Sequence, residues 1–231
     1  MRSSRWNAQG NIYLVTEVTP LSAAAVVEAV GDADGILEVL DSGDDSLAIA
    51  IWNPDGTRAE MSGNGTRIAA AWLMSQTGSD VARVRVGQRE VEVRRVGDGR
   101  FESAMGSVDV LPPEVVAGVE LIPVSVGNPH AVVLGDPARI GELGPLLETD
   151  PRFPERTNVQ VAHVDGPGNV TARVWERGVG ETSASGTSAV AIAAATHDSG
   201  EVVVHFPGGD LRVRLENGRA GLTGPAEPVE R

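Results

Sequence analysis

The chain has 231 residues, of which 41% are hydrophobic and 22% are charged, and its formal net charge is −13 at neutral pH. That length allows one large or two small domains with buried cores, and the acidity disfavours nucleic acid as a partner, because binding phosphates requires a basic surface. The 19 basic residues are all arginine and there is no cysteine, which excludes a lysine Schiff base to pyridoxal, disulfides, thiolate metal sites and thiol nucleophiles.

The sequence offers no membrane segment. No apolar run approaches the ~20 residues that a membrane-spanning helix needs. The first residues, MRSSRWNAQGN, lack the apolar core of a signal peptide. We therefore expect a cytoplasmic protein with no membrane partner.

Strand and helix signals alternate along the first half. We predict strands over residues 12–18, 36–40 and 47–52, and a strand pair over 83–96 with a turn near Gly87. Helices are predicted over 22–30 and 65–74, the second one rich in alanine. The acidic residues within 31–45 do not have the spacing of a calcium loop, so we interpret them as solvated turns and predict no metal site.

The second half repeats this alternation. Pro112-Pro113 is the best candidate for a linker between domains. Strands are predicted over residues 121–126, 131–134, 159–164, 170–175, 201–206 and 210–215, with helix in part of 135–147 and in the alanine-rich run that includes 190–195. Residues 224–231 are predicted to be a disordered tail or an edge segment.

Two motifs occur twice at similar spacing. Trp52 and Trp175 are 123 positions apart, as are Ser62 and Ser185, and in both copies the tryptophan is followed by a turn, Ser-Gly and an alanine-rich run. The second repeated motif is Gly-Asn before an apolar run, which occurs at Asn11 and again at Asn128, 117 positions later. Matching frames of this kind indicate an internal duplication. We predict an α/β (α+β) fold of two pseudo-symmetric domains, over 1–113, joined by 222–231, and over 114–221.

The repeated Ser-Gly motif lies where each alanine-rich helix should begin. Serine caps the free amide groups of a first helical turn, and those amides together with the helix dipole favour an anion. If the halves share one fold, Ser62 and Ser185 are expected to face each other across a cleft. A carboxylate would then be held at both helix starts, with two opposed side chains flanking one carbon. That arrangement suits the removal of a proton from one face and its return to the other.

Five segments of the chain read, in order, IWNPDGTRAEMSGNGTR, VSVGNPHAVV, LGPLLETDPRFPERTNV, VWERGVGETSASGTSA and FPGGDLRV. In this order they resemble the diaminopimelate epimerase family, and the similarity extends from about Gly10 to Pro225. The resemblance implies a cofactor-independent epimerase and a homodimer. It also implies two similar domains, each with a central helix inside a strongly curved sheet or barrel. The substrate-binding residues that it implies are Asn11, Asn53, Gly63, Asn64, Asn128, Asn158, Glu176, Arg177, Gly186 and Thr187.

The chain departs from the family at the two acid/base positions. The family has cysteines there, and this chain has Ser62 and Ser185. A thiol has a reference pKa near 8.5 and a serine hydroxyl ionises several units higher, so serine is a much weaker base near neutral pH. By the resemblance, His130 and Glu176 lie near the acid/base pair and are the candidates to assist it. The predicted catalytic set is therefore Ser62, Ser185, His130 and Glu176.

Each candidate also has a purely structural interpretation. The two serines are suitable as simple helix caps, His130 as a structural histidine, and Glu176 with Arg177 as a surface ion pair. Their positions in the repeat favour ligand contact, with Arg177 binding a carboxylate and Glu176 an ammonium group.

The leading hypothesis is a pyridoxal-independent amino-acid epimerase that interconverts LL- and meso-diaminopimelate. One alternative is a catalytically silent relative that binds an amino acid. Another is an amino-acid lyase that expels a β-hydroxyl group instead of returning the proton. Histidine or another amino acid with a single head group remains open as the substrate.

Overall fold

The computed structural model describes residues 3–97 and 99–229. The chain divides into two compact units, Met1–Ala104 with Gly224–Arg231 and Met105–Thr223. Met1, Arg2, Glu230 and Arg231, which belong to the predicted termini of the first domain, lie outside the described residues. Within the described ranges, no helix is both long and apolar enough to cross a membrane.

The first unit consists of a sheet and two helices. Its strands are β1 (Ser3–Ala8), β2 (Asn11–Thr16), β3 (Gly35–Ser42), β4 (Ser46–Trp52), β5 (Arg58–Ala59), β6 (Val81–Val86), β7 (Arg89–Gly97) and β8 (Arg100–Ser107). Helix α1 (Ala23–Ala29) connects β2 to β3, and α2 (Gly63–Thr77) connects β5 to β6. The unit boundary falls inside β8.

After two additional short strands, the second unit repeats the order of elements of the first. Its strands are β9 (Asp109–Val110), β10 (Glu114–Val116), β11 (Val119–Ser125), β12 (Pro129–Leu134), β13 (Asn158–Gly166), β14 (Asn169–Glu176), β15 (Gly180–Thr182), β16 (Gly200–Phe206), β17 (Gly209–Glu216) and β18 (Arg219–Pro225). A 3₁₀ turn (Pro137–Arg139) and α3 (Ile140–Glu148) precede β13, and α4 (Gly186–Thr196) precedes β16. The last strand, β19 (Glu227–Pro228), pairs with β1.

Strand pairing repeats between the units. In the first unit, β1 is antiparallel to β2, β2 parallel to β3, β3 antiparallel to β4 and β4 parallel to β6. In the second, β11, β12, β13, β14 and β16 follow the same sequence of antiparallel and parallel pairs. The predicted duplication is therefore confirmed in the topology.

Each unit is organised around its alanine-rich helix. Every residue of α2 from Gly65 to Met74 is buried, in a core that includes residues of β1 to β4 and β6 to β8. In the second unit, α4 is buried from Ser188 to Ala193 among β12, β13, β14, β16, β17 and β18. A helix that is apolar on all sides must be enclosed. The predicted central helix inside a sheet is confirmed.

The outer face of each sheet is covered by the other helix. Val26 of α1 packs with Ile36 and Trp52, while Leu143 of α3 packs with Val159.

Several elements lay outside the sequence prediction. Strands β1, β8, β10 and β18 were not expected, because they carry too few alternating apolar residues to indicate a strand without their neighbours. The predicted linker, Pro112-Pro113, is irregular chain between β9 and β10. Of the two alternatives for the tail, its described part is an edge segment that pairs with β1.

Candidate active site

Ser62 is the N-cap of α2. Its backbone is extended (φ −145°, ψ 121°), and its Oγ accepts a hydrogen bond from the Gly65 amide at 2.9 Å. Gly65 has little room for a side chain, since a Cβ there would lie 3.1 Å from the Ser62 hydroxyl. The structure thus places Ser62 at the positive end of a 15-residue helix that is buried from Gly65 to Met74, where a developing negative charge is stabilised.

Asn64 and Asn11 form a hydrogen-bonded pair beside this helix start. Asn64 Nδ2 donates to Asn11 Oδ1 at 2.5 Å, and Asn64 Oδ1 accepts a hydrogen bond from Arg67 at 2.6 Å. Since a guanidinium can only donate, this contact fixes the orientation of the Asn64 amide, and Asn64 in turn fixes that of Asn11. Asn11 then presents its NH₂ group, rather than its carbonyl, to a ligand.

Arg67 was not predicted as a site residue. Its side chain is fully buried, and it donates to Asn64 and to the Pro225 carbonyl oxygen. Burial lowers the pKa of its guanidinium to about 10, so it remains a cation at neutral pH. The α2 sequence gives no sign that this one charged residue faces the core.

Asn53 begins the turn that follows β4. Its side-chain amide donates to Thr57 Oγ1 at 2.9 Å, and its backbone pairs with Thr57 and Gly56 across the turn. Gly56 has φ +82°, a conformation that favours glycine. With its NH₂ group held by Thr57, Asn53 has its carbonyl oxygen to offer to an ammonium group.

Tyr13 is a second residue that the sequence did not point to. Its hydroxyl lies 3.2 Å from Ser62 Oγ. The two residues are 49 positions apart and meet because β2 passes the start of α2.

Ser185 is the N-cap of α4. Its backbone (φ −144°, ψ 130°) closely matches that of Ser62, but it makes no side-chain cap hydrogen bond. The two repeats thus share the backbone of the helix start and differ in what the serine hydroxyl does. Gly186 and Thr187 form the first turn of α4.

His130 lies in the core of the second unit, at β12. Gln160 Nε2 donates to its Nδ1 at 2.9 Å, so Nε2 carries the proton and donates to Asn128 Oδ1 at 3.0 Å. Burial, reinforced by the charge of Arg177, lowers the pKa of His130 to about 3. The imidazole is therefore neutral at physiological pH, and these contacts favour a role in orienting Asn128.

Asn158, Glu176 and Arg177 come together at the ends of β13 and β14. Asn158 donates to the Pro129 carbonyl oxygen at 2.9 Å and accepts from the Arg177 amide at 3.1 Å. Glu176 Oε1 accepts from Thr182 at 2.6 Å. Glu176 and Arg177 form no ion pair with each other; the Arg177 guanidinium donates to the Glu155 carbonyl oxygen at 3.0 Å.

A cavity of about 390 Å³ opens beside Asn128 and His130 in the second unit, a volume within the range of small-ligand pockets. Phe153, Pro154, Glu155 and Arg156 form another part of its wall. Among residues 3–97 and 99–229, no three histidine or acidic side chains are grouped so as to hold a metal ion.

Solved structures share this fold of two repeated units. A predicted epimerase from Pseudomonas aeruginosa superimposes with a TM-score of 0.73 at 17% identity, covering 99% of this chain and 96% of its own. A probable proline racemase from Agrobacterium radiobacter gives 0.69 at 14% identity, covering 98% and 90%. The fold thus places the chain in the class of proteins built from two repeated α/β units.

Sequence comparison identifies the family within this class. The model of the diaminopimelate epimerase family matches residues 16–111 and 122–229. A diaminopimelate epimerase from Desulforudis audaxviator is 38% identical over 99% of this chain and 97% of its own length. The chain belongs to the diaminopimelate epimerase family, and it is an isomerase, an amino-acid epimerase.

Proposed function

We propose that the protein interconverts LL- and meso-diaminopimelate, a step of lysine biosynthesis, by removing the α-proton with one serine and returning a proton with the other. The observation that carries the proposal is the repetition of one helix start. Ser62 and Ser185 have nearly the same extended backbone at the N-terminus of a buried central helix. An enzyme that acts on both faces of one carbon needs two such groups.

The substrate carboxylate is held in this proposal by backbone amides. The first turn of α2 contains Gly63 and Asn64, and that of α4 contains Gly186 and Thr187. Four N–H groups at each helix start have no partner within the helix, and the helix dipole favours an anion. A helix start of this kind would also stabilise the charge that builds up when the α-proton leaves.

The distal amino-acid head is assigned to polar side chains. Asn53 and Glu176 offer oxygen atoms to its ammonium group, while Arg177 and the oriented amide of Asn11 offer donors to its carboxylate. Asn158 lies beside Arg177, since its Oδ1 accepts a hydrogen bond from the Arg177 backbone N–H. The remaining side-chain amide in the proposed site is that of Asn128, whose Oδ1 accepts a hydrogen bond from His130.

The high pKa of the serine hydroxyl slows removal of the α-proton. Each unit by which the pKa of the hydroxyl exceeds that of a thiol adds about 1.36 kcal/mol to the free energy of forming the anion, and the serine pKa is several units higher. The Gly65 N–H and the helix dipole offset part of this cost at Ser62. His130 donates from one ring nitrogen and accepts at the other, so its contribution as a general base requires one of those bonds to break.

Proton NMR in D₂O tests the proposal directly. The protein is incubated with LL- and meso-diaminopimelate, proline and histidine, with Ser62→Ala and Ser185→Ala as controls. Exchange of the α-proton with inversion, confined to diaminopimelate and reduced about 10²–10⁴-fold in both variants, is the expected result. Exchange with proline or histidine alone would show that the substrate is an amino acid with one head group. A parallel incubation with serine tests the lyase, which would release its β-hydroxyl group as water.

A catalytically silent amino-acid-binding relative is the second candidate. It is favoured by serine at both acid/base positions and by the cap bond that already occupies Ser62 Oγ. Calorimetric binding of diaminopimelate without α-proton exchange would establish it. The predicted homodimer and cytoplasmic location stay predictions, and analytical ultracentrifugation measures the first.

A further inference from the structure

The hydroxyl of Ser62 lies between a helix amide and a phenol. Its Oγ accepts the Gly65 N–H at 2.9 Å and lies 3.2 Å from Tyr13 Oη. A serine hydroxyl has one proton and two lone pairs. The amide uses one lone pair, so the phenol can donate to the other while the serine proton remains directed at a substrate.

The fold fixes the position of this phenol. Tyr13 of β2 is in parallel register with Gly35 of β3. A Cβ at Gly35 would lie 2.8 Å from the Tyr13 ring, so the absence of a side chain there lets the ring lie against the strand. The ring also packs against the core of the first unit. Its hydroxyl is therefore held at the start of α2 by the surrounding packing.

The repeat places a proton-bearing side chain at the same point in both units. Tyr13 follows Asn11 by two residues, as His130 follows Asn128. Each begins the contact of its strand with a parallel neighbour, Tyr13 opposite Gly35 and His130 opposite Asn158. In the second unit, His130 hydrogen-bonds Asn128. In the first unit, Tyr13 instead contacts the hydroxyl of Ser62, the candidate acid/base residue.

We propose that Tyr13 is a positioning residue that acts through Ser62 by relaying a proton between its phenol oxygen and Ser62 Oγ. The inference rests on the proposed epimerase function. When Ser62 protonates the substrate carbanion, its O–H bond breaks and a C–H bond forms with the carbanion's electron pair. The Tyr13 O–H bond breaks at the same time, its proton bonds to Ser62 Oγ, and its electron pair stays on the phenol oxygen. Removal of the α-proton is the same step in reverse.

The relay places the negative charge on the more acidic oxygen. Phenol has a reference pKa near 10, several units below that of a serine hydroxyl. Burial raises the pKa of Tyr13, the hydrogen bond with Ser62 lowers it, and the Asp34 carboxylate raises it, with a net upward shift. Asp34 is the charged group that acts on the phenol; the neighbours on β1, β3 and α2 are the uncharged Trp6, Gly35 and Ser62. Tyr13 is thus protonated at neutral pH and ready to donate.

Alkaline titration measures the contact without requiring turnover. Tyr13 is the one tyrosine of the chain, so the near-ultraviolet absorbance of phenolate reports its pKa alone. Ser62→Ala removes the hydroxyl that stabilises the phenolate, and the pKa of Tyr13 should rise. Ser75→Ala removes a hydroxyl further along the same helix, where it donates to the Trp72 carbonyl oxygen, and should leave the titration unchanged. An unchanged pKa in Ser62→Ala would overturn the inference.

Proton exchange in D₂O then measures the relay. Tyr13→Phe should lower the α-proton exchange rate about tenfold or more, since general acid/base groups contribute about that much or more. It should also remove any increase of that rate with pH that is caused by ionisation of the Tyr13 phenol. In a Ser62→Cys background, the same change should alter the rate less than about twofold, because a thiol ionises without the phenol. Equal losses in both backgrounds, or no loss in either, contradict the relay. If the unmodified protein exchanges no amino acid, the proposed function fails, and the titration still decides whether Tyr13 and Ser62 share a proton.

Discussion

Replacing Ser62 with alanine removes a helix-capping hydrogen bond, whereas replacing Ser185 removes none. Ser62 Oγ accepts the Gly65 amide at 2.9 Å, and Ser185 makes no side-chain cap bond although its backbone is nearly the same. The two variants therefore lose the same chemical group and differ only in the contacts of that group. This makes them a matched pair for separating stability from catalysis.

The structure sets the size of each effect. Loss of a serine cap costs about 0.5–2 kcal/mol, and the Tyr13 hydroxyl loses its hydrogen-bond partner. We expect Ser62→Ala to lower the free energy of unfolding by about 1–2 kcal/mol. Ser185→Ala should change it by less than about 0.5 kcal/mol. Both should reduce α-proton exchange by about 10²–10⁴-fold, the typical contribution of a general acid or base.

Urea denaturation gives the two free energies, and amide hydrogen exchange locates the change. The Gly65 amide should exchange faster in Ser62→Ala, because its acceptor is gone, while the first turn of α4 should be unaffected in Ser185→Ala. Equal destabilisation by the two variants would refute the assignment of the cap. Retained α-proton exchange in either variant would refute its role in the reaction.

Three further outcomes are expected. Ser62→Cys combined with Ser185→Cys should raise the α-proton exchange rate by an order of magnitude or more near neutral pH, because thiols ionise several pH units lower; an unchanged rate would show that these positions do not limit the reaction. The imidazole proton signals of His130 should not titrate between about pH 5 and 8, since its pKa is lowered to about 3. A folded-state pKa below the ordinary value of 6.5 adds stability above pH 6.5 that is lost as the pH falls toward 3, and His130→Gln should flatten this part of the pH–stability curve. Glu38→Gln should lower the free energy of unfolding by about 1–3 kcal/mol, because its new NH₂ group would face the Trp52 indole N–H, which now donates to the carboxylate at 2.8 Å. Burial raises the pKa of Glu38, but the hydrogen bonds from Trp52 and its other donors outweigh it and lower the pKa, so wild type should lose this stability as the pH falls through that pKa and the variant should not.

The helix starts were predictable because capping is local. Ser62 and Gly65 are three residues apart, and the small polar residues before each alanine-rich run are sufficient to indicate where α2 and α4 begin. The duplication was also predictable, because the same motifs occur twice in the sequence at similar spacing. Its confirmation came from strand pairing that repeats in order and direction.

Contacts between distant residues were not predictable. Tyr13 meets Ser62, Trp52 donates to Glu38, and Gln160 donates to His130. Each pair depends on strand register and on which face of the sheet a side chain occupies, and a shift of one residue would place it on the other face. No local pattern contains that information.

The amino-acid sequence by itself determined the two repeats, their central helices and a serine at the start of each, since short-range capping and apolar content encode these features. Only the tertiary structure decided what each serine hydroxyl contacts, that His130 is held neutral, and that Arg67 lies inside the first unit. Those properties arise from desolvation and from hydrogen bonds that form when separate strands and helices pack together.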